Sequence, residues 1–88
     1  TGLGHSALTA NSSGDFNVAI GACSLDANTT ADSNTAVGTL SLSANTTGAC
    51  NTALGHSALT ANTTGADSVA VGRQALQSNT TGSKHSNR

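Results

Sequence analysis

Two histidines, each followed by a serine, are the residues whose types most directly suggest chemistry. His5–Ser6 and His56–Ser57 lie in identical Gly-His-Ser-Ala-Leu segments, 51 residues apart. A histidine beside a serine suggests nucleophilic catalysis, and a histidine repeated around an assembly axis suggests a metal ring. No acidic residue stands at a fixed offset to orient either imidazole, which a Ser-His-Asp group requires. We therefore predict no enzyme, no cofactor and no metal site, and we expect both histidines at tolerant, exposed positions.

The two cysteines and the four aspartates also lack the spacing of a metal site. Cys23 and Cys50 do not form a Cys-x-x-Cys pair, and the aspartates do not follow a calcium-binding nonapeptide repeat. A disulfide between Cys23 and Cys50 requires Cα atoms within about 7 Å, which the sequence alone does not decide. The alternatives are two buried small hydrophobic residues or a bond between chains.

Five Asn-(Ser/Thr)-(Ser/Thr) triplets satisfy the pattern for N-glycosylation. They begin at Asn11, Asn28, Asn45, Asn62 and Asn79. In a chain that passes through a glycosylating secretory route, sugars would project from one side at regular intervals. We favour the alternative that Asn and Thr serve as corner and ladder residues, because duplication of a repeat copies one accidental triplet five times.

Pairs of threonines next to these asparagines suggest a second binding chemistry. They are Thr29-Thr30, Thr46-Thr47, Thr63-Thr64 and Thr80-Thr81. Files of threonine on a flat β-structure can match the spacing of an ice lattice. Adjacent residues of a strand point to opposite faces, so each pair gives one outward file rather than two. Ice binding therefore stands as a weaker alternative.

The composition restricts what can surround these residues. Ala, Thr, Ser, Gly and Asn make up 60 of 88 residues, there is one aromatic residue, and the formal net charge is −1. Three basic residues and one aromatic provide neither a phosphate-tracking stripe nor a stacking platform, so we expect no nucleic-acid partner. The apolar stretches are far shorter than the roughly 20 residues of a membrane span. The first residue is not Met and no leader follows it, which predicts either a processed chain or, as we favour, a fragment of a longer protein.

A 17-residue repeat organises the chain. Glycine recurs at 4, 21, 38, 55 and 72, leucine at 8, 25, 42, 59 and 76, and the sequon asparagines keep the same interval. An aliphatic residue precedes each of these glycines, and the first histidine's position holds Ala22, Thr39 and Arg73 in other units. Five units cover residues 1–85 as one repeat segment, and residues 86–88 are expected to form a C-terminal tail.

The pattern within each unit favours short strands over helices. Two glycines, a threonine pair and an asparagine in every 17 residues disfavour a helix. Val18–Ile20 and Thr35–Val37 alternate β-branched residues with alanine, as strands do, and the segment around each Leu could supply a second short strand. Units of this size predict an all-β fold, a parallel β-solenoid of five 17-residue coils in which equivalent positions stack about 4.8 Å apart.

Two aliphatic files are the predicted core of this solenoid. One is Leu3, Ile20, Val37, Leu54 and Val71, and the other is Leu8, Leu25, Leu42, Leu59 and Leu76. Such a core is too thin to repay the ordering cost of a lone chain, so we expect copies to assemble. The alanines at 19, 36, 53 and 70 are small enough to predict a face where another chain approaches closely.

The segments Val18–Gly21, Thr35–Gly38 and Val69–Gly72 resemble the head repeats of trimeric autotransporter adhesins, whose units carry a Val-Ala-Ile-Gly core. The longer version with Asn-Thr-Thr-Gly is similar to repeats of bacteriophage tail fibres and large bacterial surface proteins. The resemblance covers all five units, although the adhesin head unit is shorter. It implies a left-handed parallel β-roll, assembly of three chains, and an extracellular, cell-surface or virion fibre.

Together these observations predict a structural segment of an extracellular fibre or adhesin. The chain would form a rigid rod, assemble with copies of itself as a homotrimer or filament, and display repeated contacts to a cell-surface or glycan receptor. A glycan-coated filament scaffold and an ice-binding solenoid are the alternatives.

Overall fold

The computed structural model describes residues 2–76, 80 and 86–87, and in them every regular element is a β-strand. The six strands are β1 (Gly2–Leu3), β2 (Val18–Ile20), β3 (Thr35–Val37), β4 (Thr52–Leu54), β5 (Val69–Val71) and β6 (Ser86–Asn87). They form one parallel sheet in the order β1-β2-β3-β4-β5-β6. The described part of the chain contains no helix long and apolar enough to cross a bilayer. The predicted all-β, parallel architecture is confirmed at this level.

Each strand pairs with the strand one repeat further along the chain. Ala19 lies opposite Ala36, Ala36 opposite Ala53, and Ala53 opposite Ala70. The register is 17 residues at every pairing, including that of Val69 with Ser86 in β5 and β6. Residues 86–87, which we expected in a tail, therefore continue the sheet.

Hydrogen bonds outside the strands also join neighbouring units. The Gly38 N–H donates to the Ile20 carbonyl at 2.7 Å, and the Leu42 N–H donates to the Ala58 carbonyl at 3.0 Å. Backbone groups of a unit thus pair with both the preceding and the following unit. The turns are held by the same stacking that holds the strands.

The core differs from the prediction in one of its two files. Leu25, Leu42 and Leu59 are fully buried, as predicted, and Leu8 and Leu76 pack against them with partial exposure. The other predicted file is wrong, because Leu3 is 60% exposed, Leu54 is 45% exposed, Ile20 is exposed, and Val37 and Val71 are half-buried.

Alanine occupies the inward position that we assigned to the larger residues. Ala19, Ala36, Ala53 and Ala70 are fully buried, so they do not form the predicted face for another chain. In a three-residue strand the middle side chain points to one side and its two neighbours to the other. The buried leucines and asparagines already fill the interior, which leaves room for only a methyl group at the middle of each strand.

The segment around each Leu forms turns and not the second strand that we expected. Leu25, Leu42 and Leu59 have φ values of 50°, 51° and 53°, in the left-handed region that non-glycine residues rarely adopt. Complete burial of each leucine side chain offsets the cost of this backbone conformation. Leucine as a residue type does not predict a turn of this kind.

The glycine after each of β1 to β4 is required by both conformation and space. Gly38 has a φ of 125°, and a Cβ atom placed on it would lie 2.7 Å from the carbonyl carbon of Gly55. Neighbouring units therefore approach each other here more closely than any side chain permits.

Candidate assembly surface

The sequon asparagines form a ladder inside the stack. Asn28, Asn45 and Asn62 are fully buried. The Asn45 Nδ2 group donates to Asn28 Oδ1 at 3.0 Å and to the Gly48 carbonyl at 2.9 Å, and Asn62 repeats this arrangement with Asn45 and Gly65. Side-chain amides of this kind satisfy one another along the stacking direction.

This placement argues against glycans at the three buried sequons. An N-linked sugar is attached at Nδ2, and at Asn28, Asn45 and Asn62 that nitrogen is enclosed and donates two hydrogen bonds. Asn11 is half-buried, with its Nδ2 donating to the Gly14 carbonyl at 3.1 Å. Asn79 lies outside the described residues. The ladder role that we favoured accounts for the described sequons.

A second asparagine ladder precedes the strands, and the sequence analysis did not single it out. The side-chain Oδ1 of Asn34 accepts the Asn51 N–H at 2.9 Å, and its Nδ2 donates to the Gly48 carbonyl at 2.9 Å. Asn17 and Asn51 make the corresponding bonds to the next unit. The 17-residue recurrence of Asn at 17, 34 and 51 was the available signal.

The threonine pairs divide between the two environments that we expected. Thr29, Thr46 and Thr63 are half-buried, and the Thr46 Oγ1 donates to the Thr63 carbonyl at 3.4 Å. Thr30, Thr47 and Thr64 are exposed. Each of these three pairs thus supplies a single outward hydroxyl, and the hydroxyls are spaced about 4.8 Å along the stack. Thr81 of the fourth pair lies outside the described residues.

In the two His-Ser pairs the histidines are exposed and the serines half-buried, and the pairs lie far from each other. Nδ1 of His5 is 3.2 Å from Ser6 Oγ, and Nδ1 of His56 is 3.3 Å from Ser57 Oγ. The histidines are three units apart, which corresponds to about 14 Å along the stack. Among the described residues no group of three or more His, Cys, Asp or Glu side chains is arranged to hold a metal ion.

The cysteines are free thiols that the fold keeps apart. Cys23 follows β2 and is half-buried, whereas Cys50 precedes β4 and is exposed. Two strand spacings separate β2 from β4, or about 9.6 Å along the stack, beyond the reach of a disulfide. The structure therefore does not bring Cys23 and Cys50 together within one chain.

A cavity of about 540 Å³ lies at the first described unit. Leu8, Asn11 and Asn17 contribute to its lining, and all three belong to inward files. Their counterparts in later units, such as Leu25 and Asn28, are covered by the unit before. The cavity is thus the uncovered end of those files rather than a pocket in the side of the stack.

One side of the sheet carries a continuous apolar stripe, which we call the outer face. Its members are Leu3 of β1 and the two outward residues of each of the strands β2 to β5, namely Val18, Ile20, Thr35, Val37, Thr52, Leu54, Val69 and Val71. Seven of the nine are aliphatic, and no charged residue interrupts them. Neighbouring members of each file lie about 4.8 Å apart, so the stripe runs the length of the sheet.

Two rows of residues border the outer face. The leading flank, two residues before each strand, is Phe16, Ser33, Cys50 and Asp67. The trailing flank, two residues after each strand, is His5, Ala22, Thr39, His56 and Arg73. All of these are exposed except the half-buried Ala22, and Phe16 is 86% exposed.

Among the described residues, the outer face with its flanks is the candidate interaction surface. An apolar patch that recurs in register on every unit is typical of an interface, whereas single exposed apolar residues are ordinary. Comparison with models of protein families, with curated proteins and with solved structures finds no match to this chain.

Proposed function

We propose that this chain is a structural segment of an extracellular fibre, built as a β-solenoid whose outer face binds further copies of the same chain. Each 17-residue unit is one coil, and the coils form a rigid rod. We propose a homotrimer as the assembly, since three outer faces can meet around one axis. A filament is the alternative arrangement of the same rods.

The constant 17-residue register supports the solenoid. Strand pairing, the bonds between successive members of the two asparagine ladders, and many of the backbone hydrogen bonds outside the strands connect residues about one unit apart. Each unit therefore depends on its neighbours and not on distant parts of the chain, as in other repeat proteins. A rod of this kind lengthens by addition of units without a change of cross-section.

The exposure of the outer face is the observation that carries self-association. Leu3, Ile20, Leu54 and Val69 are exposed, while the interior is filled by alanine, leucine and asparagine. The burial of small residues leaves the larger aliphatic side chains in solvent. A second copy has the same stripe with the same spacing, so contact between copies buries apolar surface on both.

The resemblance to adhesin and tail-fibre repeats supports an extracellular setting for such a rod. In that setting the outer face would lie between copies, and the other sides would remain open to a receptor. The exposed hydroxyls of Thr30, Thr47 and Thr64 recur on such a side, where one weak contact is repeated at fixed intervals. The receptor would be a cell-surface molecule or a glycan.

Electron microscopy of the native assembly tests this proposal. We expect short rods in which several copies lie side by side, with no density of glycan size at Asn28, Asn45 or Asn62. Compact single chains of 8.5 kDa, without a rod or a multimer, would contradict it. Rods with sugar density at these asparagines would favour the glycan-coated scaffold instead.

A further inference from the structure

The two flanks of the outer face carry complementary residues at the same height of the stack. Each strand defines one level, with its leading residue on one flank and its trailing residue on the other. The pairs are Phe16 with Ala22 at β2, Ser33 with Thr39 at β3, Cys50 with His56 at β4, and Asp67 with Arg73 at β5. In order, these are a large and a small apolar residue, two hydroxyls, a thiol and an imidazole, and two opposite charges.

Asp67 and Arg73 are both exposed, and neither side chain has a hydrogen-bond or ion-pair partner in the described part of the chain. They stand on opposite sides of the three-residue strand β5. The carboxylate of Asp67 in one copy can therefore pair with the guanidinium of Arg73 in another. Complementary charges at the rim of an interface set its orientation and register.

The relative direction of two copies decides which flanks meet. When two outer faces pack with their stacks parallel and at the same height, the leading flank of one copy lies against the trailing flank of the next. Asp67 then faces Arg73 of the neighbouring copy, and Phe16 faces the small Ala22. When the stacks are antiparallel, like flanks meet. With β5 of one copy at the height of β2 of the other, Arg73 lies against Ala22 and Asp67 against Phe16.

We infer that copies of this chain associate in a parallel, in-register cyclic arrangement in which Asp67 of each copy pairs with Arg73 of the next. The inference rests on the proposed self-association through the outer face and adds its direction and register. Every interface of a cyclic assembly contains the same pair. The ion pair lies beside Val69 and Val71, where partial exclusion of water strengthens it relative to an exposed pair.

Charge exchange between the two positions tests the pairing. The variants are Asp67→Lys, Arg73→Glu and the double variant, and lysine already occupies the position equivalent to 67 one unit later, at Lys84. Either single variant places like charges at every interface, so we expect the dissociation constant of the assembly to rise about tenfold or more. The double variant restores opposite charges and is expected to return to within about threefold of wild type.

Asp26→Lys is the matched control, because it makes the same charge change away from the outer face and its flanks. It should leave the dissociation constant within about twofold of wild type. Circular dichroism of every variant shows whether the chain still folds. Sedimentation velocity gives the dissociation constants, and high salt should reduce the difference between single and double variants.

The outcomes separate this inference from the proposed function. If wild type assembles but the double variant is as weak as the sum of the single variants, the parallel register is wrong and self-association stands. If the single variants assemble like wild type, the Asp67–Arg73 pair is absent, which also overturns the inference. If wild type itself remains a single chain, the proposed function fails first.

Discussion

Single residues show how strictly the interior of the stack is specified. Asn45 is fully enclosed, and its amide contacts Asn28, Asn62 and the Gly48 carbonyl at 2.9–3.0 Å. Both hydrogens and the oxygen of the side chain are used. A residue of the same shape but different hydrogen-bonding capacity therefore has no place there.

Replacement of Asn45 by aspartate tests this specification. The variant exchanges two donors for an acceptor that faces two oxygens, and it encloses a charge, so we expect the free energy of unfolding to fall by about 3 kcal/mol or more. Urea unfolding followed by circular dichroism measures the change. Thr47→Asp, at an exposed site two residues away, is the control and should cost about 0.5 kcal/mol or less. Equal losses for the two variants would show that the ladder is not the reason.

The glycine of Asn-Thr-Thr-Gly allows the carbonyl of the next unit to approach closely. A Cβ atom on Gly48 would lie 2.2 Å from the Gly65 carbonyl oxygen. With glycine present, the N–H groups of Thr46, Thr47 and Gly48 all donate to the Thr63 carbonyl at 3.1–3.2 Å.

The second unit has alanine where the others have this glycine, at Ala31. There Thr29 alone donates to the carbonyl of the next unit, with a length of 3.5 Å. The added methyl group thus accounts for the looser corner, since it must avoid the carbonyl that lies over it.

Exchange of the two residue types should therefore act in opposite directions. Ala31→Gly relieves the crowding and restores two hydrogen bonds, and this gain exceeds the entropy cost of glycine. We therefore expect the free energy of unfolding to rise by about 1 kcal/mol. Gly48→Ala should lower stability by about 2 kcal/mol. Thermal and urea unfolding at matched concentration measure both. A loss of stability in Ala31→Gly would show that backbone entropy dominates this corner.

At the scale of the strand, the middle residue is the one that faces inward. The middle residue of β3, Ala36, is fully buried, while Val37 beside it is half-buried on the outer face. A strand of three residues offers only one inward position, and its size is limited by the adjoining leucine and asparagine files.

Enlargement at the two positions should have different effects. Ala36→Val forces a branched side chain into the closed interior and should cost about 1–3 kcal/mol of stability. Val37→Ile lies on the outer face and should change the stability of the single chain by about 0.5 kcal/mol or less. Unfolding is measured below the concentration at which copies associate. If Ala36→Val left stability unchanged and Val37→Ile lowered it, the orientation that we first predicted would be right, with the larger aliphatic residue inside and the alanine outside.

The sequence was sufficient to predict parallel stacking but not which face turns inward. A fixed period of 17 residues places equivalent residues of neighbouring units beside one another, whatever the shape of the unit. The stacking of Gly21 and of Leu25 on their equivalents was predicted from this period. The orientation depends on the left-handed backbone at Cys23 and Leu25, which bends the chain around the leucine. Neither residue type favours that conformation by itself, so burial in the finished stack selects it.

For the candidate surface, the sequence identified the aliphatic residues but gave them the opposite role. Ile20 and Leu54 were predicted in the core because larger apolar residues are buried more often than alanine. That rule does not hold where buried asparagine side chains share the interior with the leucines. The partner face was thus expected at Ala36, whereas the more exposed aliphatic residues lie on the other side of the same strand.

At the scale of the whole molecule, stability and the proposed association should both depend on the number of complete units. The stack measures 26 × 20 × 16 Å, and each unit adds two residues to the outer face. A stripe this short gives each copy a small contact area compared with the roughly 800 Å² per partner of a standard interface. The assembly should accordingly strengthen with each added unit.

Deletions of different length test this dependence on whole units. Removal of residues 35–51 takes out one period and joins Asn34 to Thr52, so every file stays in register. We expect this variant to fold cooperatively and to associate more weakly than wild type by about tenfold. Removal of only residues 35–46 leaves a unit too short to complete a turn and should abolish cooperative unfolding. Circular dichroism during urea unfolding and sedimentation velocity distinguish the two variants. If the variant that lacks residues 35–46 were more stable than the one that lacks residues 35–51, a stack of equal units would be contradicted.

Sedimentation equilibrium of wild type and of a Leu54→Asp variant tests most directly that the outer face joins copies of this chain. Leu54 is 45% exposed and lies near the middle of the stripe, so a carboxylate there would be buried without a partner between copies. We predict a wild-type mass that is a multiple of 8.5 kDa, three for the trimer, and for the variant a dissociation constant raised about a hundredfold with unchanged circular dichroism. A wild-type mass of one chain, or a variant that assembles as well as wild type, would contradict the account.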